Sequence, residues 1–155
     1  MSNLEEDIDL LLEKSGLTSE LSFVLRLTQL AAFEDLSTRL RDTRLTLSQL
    51  ALLRLINTRP GLRQQQISDA LNVKKTNLVT TIDRLEALGL VERRPSPTDK
   101  RAHALHLTRQ GAKTLTTAME SVDEHLQRVH TFLTPAEHER LLTLLGKLRA
   151  GFNSC

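Results

Sequence analysis

Apolar residues recur three and four positions apart along much of the chain, which is the spacing of one face of an α-helix. Residues 18–41 carry more of them than one core-facing side requires, so we predict a long helix there with surplus apolar surface. The tetrapeptide Thr46-Leu-Ser-Gln49 is typical of a capping box, with Thr46 as the N-cap of the next helix. That helix is expected to end near Pro60-Gly61.

The segment after Gly61 predicts two helices joined by a tight turn. A short helix of about nine residues lies within GLRQQQISDALNV and breaks at Asn72-Val73. The next segment, KKTNLVTTIDRLEALGL, has one apolar stripe and places Gly89 at the C′ position that closes a helix. The stripe consists of Leu78, Ile82, Leu85 and Leu88. Two helices in this arrangement form a helix-turn-helix.

A β-hairpin and two long helices complete the predicted order. Residues 90–107 contain two short strands, and Thr108 is a candidate N-cap for the helix that follows. Thr134-Pro135, with Glu137 three residues after the N-cap, forms a second capping box for the last helix. The predicted fold class is therefore mainly α with a small β-hairpin wing, a winged helix-turn-helix core with helices on either side.

Basic residues are concentrated in the middle of the chain. Residues 41–105 hold twelve basic and six acidic residues, whereas residues 1–40 hold three basic and eight acidic ones. A polyanionic partner would bind the basic segment, although a solvated surface that happens to be basic explains the asymmetry equally well. The chain has four Phe and no Trp or Tyr, which disfavours binding of single-stranded nucleic acid by base stacking.

The sequence favours a cytoplasmic protein without a membrane span. No apolar run reaches about 18 residues, and the N-terminal segment MSNLEEDIDLLLEK is acidic where a signal peptide would be basic. Cys155 is the single cysteine, so no intramolecular disulfide can form, which agrees with a reducing compartment.

The second helix of the pair is predicted to enter the DNA major groove, where every base pair presents a distinct pattern of donors and acceptors. Lys75 can donate to guanine and Asn77 can pair with adenine, while threonines offer a hydroxyl and a methyl group. Residues 74–81 contain no acid, which favours groove contact over a solvated helix face with its usual Glu–Lys pairs. The predicted contacts are Lys74, Lys75, Thr76, Asn77, Thr80 and Arg84.

Gln64 and Gln65, at the start of the preceding helix, are candidates for phosphate contact together with the free N–H groups of that helix. Ordinary polar residues at a helix start explain them equally well.

The tip of the hairpin is basic and rich in proline. Pro95-Ser-Pro-Thr-Asp99 stands between two pairs of basic residues, and its prolines stiffen the tip. An arginine at such a tip can reach the narrow minor groove, with Asp99 paired to a neighbouring arginine, Arg101 or Arg94, and directing it. A protruding loop kept soluble by its charge is the alternative. The flanking basic residues are Arg93, Arg94, Lys100 and Arg101, of which all but Arg93 join Asp99 as predicted DNA-binding residues.

The stretch DALNVKKTNLVTTIDRLEALGLVERRPSPTDKRAHALHLTRQG resembles the DNA-binding core of the MarR family of bacterial transcriptional regulators. The matching features are Ile82-Asp83-Arg84-Leu85-Glu86, Gly89-Leu90-Val91, Arg94, the wing signature Asp99-x-Arg101, and Leu105-x-Leu107-Thr108-x-x-Gly111. Lys74 departs from the family pattern, which usually has Ser or Thr there to cap the recognition helix. The resemblance implies a homodimer on double-stranded DNA, with a pseudo-palindromic operator whose half-sites lie roughly 34 Å apart. It also implies repression that ends when a small ligand binds.

The terminal helices support a dimer independently of the resemblance, because they carry more apolar side chains than one small lobe can cover. These side chains are Phe23, Leu27, Leu141, Leu145, Leu148 and Phe152. We therefore predict one domain over residues 1–155. Within it, the DNA-binding lobe spans about 44–108 and the dimerisation helices about 18–42 and 109–150.

In this family the ligand usually sits between the dimer helices and the winged helix, and it is often an aromatic acid or a related anion. Arg26 lies in an apolar stretch near Phe23, Leu30 and Phe33, so these four residues are the predicted site for an aromatic acid or its conjugate. An ordinary interface role for Arg26 is the alternative.

No cofactor and no metal site are predicted. His125 and His130 are five residues apart and therefore lie on different faces of a helix, and Cys155 has no basic neighbour in the sequence to activate it. A regulator that responds to a metal or to oxidation nevertheless stays open as an alternative.

An enzyme is disfavoured, because the chain has no glycine-rich phosphate loop, no HExxH motif and no serine nucleophile elbow. A winged-helix module that binds protein instead of nucleic acid is a further alternative, against which the basic recognition face argues.

Overall fold

The chain folds mainly into helices, with a small antiparallel sheet among them. A computed structural model describes residues 2–95 and 103–154. The helices are α1 (Ser2–Ser15), α2 (Leu21–Arg39), α3 (Leu47–Thr58), α4 (Gln64–Leu71), α5 (Lys75–Ala87), α6 (Arg109–Val129) and α7 (Pro135–Asn153). The strands are β1 (Leu62–Arg63), β2 (Val91–Pro95) and β3 (His103–Leu107). The predicted fold class is confirmed, and α1 and β1 are added to the predicted order of elements.

The chain divides into two compact units, Met1–Thr38 and Arg39–Cys155. The first unit contains α1 and all but the last residue of α2, and no side chain of α2 is fully buried. Leu27, Leu30 and Phe33 are exposed along this helix. The predicted long helix with surplus apolar surface is therefore confirmed, whereas the assignment of dimerisation helices and a DNA-binding lobe remains a prediction.

Local capping signals set the starts of the helices in the second unit. Thr46 Oγ1 accepts the Gln49 N–H at 3.3 Å, and Gln49 Oε1 accepts the Thr46 N–H at 2.8 Å. The same reciprocal pair forms between Thr134 and Glu137, at 3.3 and 2.8 Å. Both predicted capping boxes are confirmed, as is the cap at Thr108.

The core of the second unit lies where α3 meets α5, α6 and β3. Its fully buried large side chains are Leu40, Leu52, Leu53, Ile56, Ile67, Ile82, Leu85, Val91 and Leu105. Leu88 belongs to the apolar stripe predicted for α5, but unlike the other three residues of that stripe it is exposed, at 47%. The reason is that α5 ends at Ala87, and Gly89 takes a left-handed φ of 68° that turns the chain towards β2.

The sheet places the base of the wing beside α5. β3 is the central strand and pairs antiparallel with β1 on one side and with β2 on the other. Arg93 of β2 stands opposite Leu105 of β3. Along β2, Val91 is buried, whereas Arg94 and Pro95 are exposed, so the strand leaves the core within five residues.

The start of α6 is fastened to the end of the α5–β2 turn. Thr108 N–H donates to the Leu90 carbonyl at 3.1 Å, and Thr108 Oγ1 donates to the Gly89 carbonyl at 2.6 Å. Gly111 then packs directly on the Leu90 backbone: a Cβ at this position would lie 1.9 Å from the Leu90 carbonyl oxygen. The close approach explains why glycine stands three residues after the N-cap Thr108.

The last helix, α7, has no fully buried side chain. Leu141, Leu142, Leu144 and Phe152 are all exposed along it. None of the helices described between residues 2 and 154 is long and apolar enough to cross a bilayer.

Candidate nucleic-acid interface

The helix α5 has one buried face and one exposed polar face. Leu78, Ile82 and Leu85 are buried, which turns the predicted contact residues outwards. These are Lys75, Thr76, Asn77, Thr80 and Arg84, and all five are exposed. The predicted groove-contacting residues are thus all exposed on a single helix. Thr76, Asn77, Thr80 and Arg84 lie within about 100° of one another around its axis, and Lys75 stands at its start.

The first turn of α5 has no side-chain cap. Lys74 is the N-cap residue with extended backbone angles, and its side chain accepts no hydrogen bond from the turn that follows. A lysine has no acceptor to offer. The departure of Lys74 from the family pattern therefore leaves backbone N–H groups at this helix end without a side-chain cap, next to the exposed side chains of Lys74 and Lys75.

Two threonine hydroxyls on α5 bind their own helix. Thr80 Oγ1 donates to the Thr76 carbonyl at 3.2 Å, and Thr81 Oγ1 donates to the Asn77 carbonyl at 2.8 Å. The hydrogen of each hydroxyl points to the backbone. What Thr80 presents to a partner is therefore a lone pair and a methyl group.

The glutamines at the start of α4 differ in their contacts. Gln65 Nε2 donates to Asp69 at 2.8 Å, and Gln66 Oε1 accepts the Arg63 N–H at 3.0 Å. Gln64 is half-buried. The predicted phosphate contacts of Gln64 and Gln65 remain predictions.

Arg93 joins the β2–β3 hairpin, the predicted wing, to α5, the predicted recognition helix. Its guanidinium donates to Asp83 and Glu86 on α5, and its backbone N–H donates to Glu86 Oε1 at 3.3 Å. The hydrogen bond to Asp83 is the largest cause that raises the pKa of Arg93; burial opposes it, and the charges of both carboxylates add to it. Arg93 lies beside the tip in the sequence, but its guanidinium is hydrogen-bonded to two carboxylates of α5.

Arg94 points away from this arrangement. Its Nε donates to Glu92 Oε1 at 3.0 Å, and its side chain is 56% exposed. Arg94 is one of the two arginines predicted to pair with Asp99, and in the structure it pairs with Glu92 of its own strand. Asp99, Lys100 and Arg101 lie outside the described residues.

The acids that hold Arg93 were not singled out from the sequence. Asp83 and Glu86 are three residues apart and share one face of α5, which is a signal for a common partner. The turn at Gly89 brings β2 back along the helix, and only the path of that turn identifies Arg93 as the partner.

The predicted ligand residues all lie on α2. Arg26, Leu30 and Phe33 are exposed and Phe23 is half-buried. The second unit separately contains a cleft of about 450 Å³ between α3 and α6. Arg54, Asn57, Leu115 and Met119 are among its lining residues, so it combines a cation, an amide and apolar side chains.

One pair of histidines meets at the corner between α6 and α7. His130 Nε2 and His138 Nδ1 are 3.4 Å apart. This pair was not predicted from the sequence, where His130 was compared only with His125. Within residues 2–95 and 103–154, no group of three or more His, Cys, Asp or Glu side chains is placed to hold a metal ion.

A helix-turn-helix whose second helix has an exposed polar face, with a β-hairpin packed beside it, defines a winged-helix protein. Comparison with known proteins identifies its family. The model of the MarR family matches residues 45–103. A putative transcriptional regulatory protein for the hcr operon of Thauera aromatica is 33% identical over 134 residues, which span 86% of this chain and 81% of the relative.

Solved structures agree with this assignment. The transcriptional repressor CouR bound to a 23-mer DNA duplex is 33% identical, with a TM-score of 0.83 over 86% of this chain and 95% of that chain. CouR bound to p-coumaroyl-CoA is 32% identical, with a TM-score of 0.80 over 86% of this chain and 94% of that chain. The chain therefore belongs to the MarR family and is a transcriptional regulator, and its relatives are regulators and not enzymes.

Proposed function

We propose that the protein is a homodimeric repressor that binds a pseudo-palindromic operator in double-stranded DNA and releases it when a small anionic aromatic ligand binds. The observation that carries the DNA-binding role is the exposed polar face of α5, along which Asn77 and Arg84 lie, with Lys75 at the start of the helix. Its likeness to CouR, which was solved on a DNA duplex, supports the same role. Such a protein acts on the chromosome, so we expect it in the cytoplasm.

The roles of the contact residues follow from their chemistry. Lys75 and Asn77, in the first turn of α5, read base edges, while Lys74 and the uncapped N–H groups bind phosphate. Arg94, Lys100 and Arg101 belong to the wing, where a guanidinium is attracted by the narrow minor groove.

The DNA-binding role is tested with labelled duplexes from the region beside the protein's own gene, at several salt concentrations. We expect binding that weakens steeply as salt rises, because phosphate contacts release counterions. Arg101→Ala should weaken it by more than about tenfold, with a smaller loss at higher salt. Lys147→Ala, a loss of the same charge on the exposed surface of α7, is the matched control and should change little. No binding by the wild type at low salt would contradict the proposal.

The dimer is proposed from the exposed apolar side chains of α2 and α7. A monomeric protein rarely leaves such rows of large apolar side chains in water. Leu27 on α2 and Leu141 and Leu144 on α7 belong to these rows. Sedimentation of the wild type should give twice the mass of the chain, and Leu27→Glu should shift it towards the monomer and weaken operator binding. A wild type that sediments as a monomer at micromolar concentration would contradict the dimer.

The ligand is proposed to be an aromatic carboxylate or its thioester. CouR, bound to p-coumaroyl-CoA, supports this class. Two arginines are candidates to bind the anion: Arg26 on α2, beside exposed aromatic and aliphatic side chains, and Arg54 at the α3–α6 cleft. The two sites can be distinguished, because substitution of the arginine that binds the anion should abolish ligand binding and substitution of the other should not.

A thermal-shift screen of aromatic acids and their coenzyme A thioesters, with and without operator, tests the ligand. A ligand that ends repression should raise the melting temperature of the free protein and lower the affinity for DNA. Arg26→Ala or Arg54→Ala should abolish that shift, and the variant that does so identifies the site. A ligand that stabilises the protein equally with both variants would contradict both sites.

A further inference from the structure

We propose that Arg93 is a positioning residue that fixes the wing against the recognition helix, so that both bind the same DNA molecule in one orientation. The inference rests on the proposed DNA-binding function and deepens it. It assigns to Arg93 no contact with DNA, and it predicts that Arg94 acts at full strength only when Arg93 is in place.

The first support is where the contacts of Arg93 lie. Val91 is the last buried side chain of β2, and from there the strand leaves the core. Beyond Val91, the polar links from β2 to α5 among the described residues all come from Arg93: two from its guanidinium and one from its backbone N–H. Asp83 and Glu86 stand one turn apart on α5, so together they fix both the position and the direction of the strand.

The second support is that these contacts contribute little to holding the fold together. The side chain of Arg93 is 23% exposed, and those of Asp83 and Glu86 are 57% and 38% exposed. Ion pairs at such exposed positions contribute little to stability. The five register pairs with β3 hold β2 in the sheet without them. What the pairs add is a fixed relation between the wing and the helix.

The third support is electrostatic. Asp83 and Glu86 place two negative charges on the helix that is proposed to approach phosphate, and Arg93 is the cation beside both. The guanidinium presents its donors in a rigid planar fork and so fixes the two carboxylates in one geometry, whereas the three donors of a lysine ammonium rotate on a flexible chain and fix no such geometry. Replacement by lysine therefore separates the geometric role of Arg93 from its charge.

The chain contains a closely matched control. Arg39 pairs with Glu124 at 3.3 Å, and the two side chains are 26% and 61% exposed, against 23% and 57% for Arg93 and Asp83. Arg39→Gln and Arg93→Gln thus each remove one positive charge at similar exposure, together with the ion pair to Glu124 in the first case and the ion pairs to Asp83 and Glu86 in the second. Only Arg93→Gln removes contacts between the wing and α5.

The experiment measures operator affinity and melting temperature for Arg93→Gln, Arg93→Lys and Arg39→Gln. We expect Arg93→Gln to weaken binding about tenfold and Arg39→Gln less than about twofold, with similar small changes in melting temperature. Arg93→Lys should keep a loss of at least about threefold, because the charge remains and the fixed geometry of the guanidinium does not. Full recovery in Arg93→Lys would show that charge alone matters and would overturn the positioning role.

A double-mutant cycle tests whether Arg93 acts through the wing. Arg94→Ala should lose most of its effect when combined with Arg93→Gln, whereas Lys75→Ala, at the other end of α5, should keep its full effect. Additive effects in both combinations would overturn the inference. If Arg93→Gln binds operator as tightly as the wild type does, the inference is wrong and the proposed function stands. If no form binds operator, the proposed function is wrong as well.

Discussion

Substitution of Gly111 by alanine tests the close approach between α6 and the end of the α5–β2 turn. In an ordinary helix this change is stabilising by roughly 0.5–1 kcal/mol, since glycine is a poor helix former. At Gly111, however, the new Cβ would lie 1.9 Å from the Leu90 carbonyl oxygen and 2.8 Å from its carbonyl carbon. Both atoms belong to the backbone, so no side-chain rotation relieves the overlap.

The overlap determines the size of the effect. The start of α6 or the backbone at Leu90 must move to relieve the overlap, although Thr108 ties the two together through the Leu90 and Gly89 carbonyls. Overpacking of this kind costs about 1–3 kcal/mol, and here the lost hydrogen bonds of Thr108 add to it. We expect a net loss of at least about 2 kcal/mol, which is a fall of roughly 4–8 °C in melting temperature for a chain of this size.

Thermal and urea unfolding at one fixed protein concentration measure this loss, since a dimer's stability depends on concentration. Gly146→Ala is the matched control: it lies within α7, where a Cβ meets no atom of this chain within 4 Å. We expect Gly146→Ala to leave stability unchanged or raise it. An alanine at 111 that is as stable as the wild type would refute the reasoning.

Three further results are expected. A hydrogen bond from Thr134 lowers the pKa of Glu137, so its carboxylate stabilises the folded state above the unfolded-state pKa and that contribution is lost as the pH falls through the folded-state value. Glu137→Gln should therefore be less stable than the wild type at pH 7, and the difference, measured by urea unfolding, should shrink once the pH falls below about 4.5 and vanish below the lowered folded-state pKa; a constant difference would contradict the assignment. Asn77→Ala should lose roughly 1–3 kcal/mol of preference at one base pair, measured by competition between operator variants, whereas an equal loss on every sequence would make Asn77 a phosphate contact. Ile82→Ala should cost about 2–5 kcal/mol in unfolding experiments, because its side chain is fully buried, and a loss below about 1 kcal/mol would contradict that placement.

Sequence reasoning located most of the elements because their signals are local. The capping boxes at Thr46 and Thr134 involve groups three residues apart, and the structure forms the hydrogen bonds that the spacing predicts. The left-handed glycine at 89 is a similar case. The exposed face of α5 followed from helical periodicity alone.

The elements that were missed depend on distant partners. β1 has two residues, too few to show alternation, and it exists because Leu62 and Arg63 pair with β3 more than forty positions away. The acidic charge of the N-terminal segment was used only as evidence against a signal peptide. Its helical spacing was overlooked, so α1 was not predicted. The contacts of Arg93 with Asp83 and Glu86 depend on how far the chain turns after α5, which no local pattern specifies.

The hydrogen bond from the Thr80 hydroxyl to the backbone of its own helix affects which bases this side chain can contact. Its hydrogen is given to the Thr76 carbonyl at 3.2 Å, so donation to DNA would require this hydrogen bond to break. In the major groove, only adenine and cytosine offer an amino group, and thymine offers a methyl. Facing DNA, this position would thus disfavour guanine, whose O6 and N7 both accept a hydrogen that Thr80 can give only by losing its bond to the backbone.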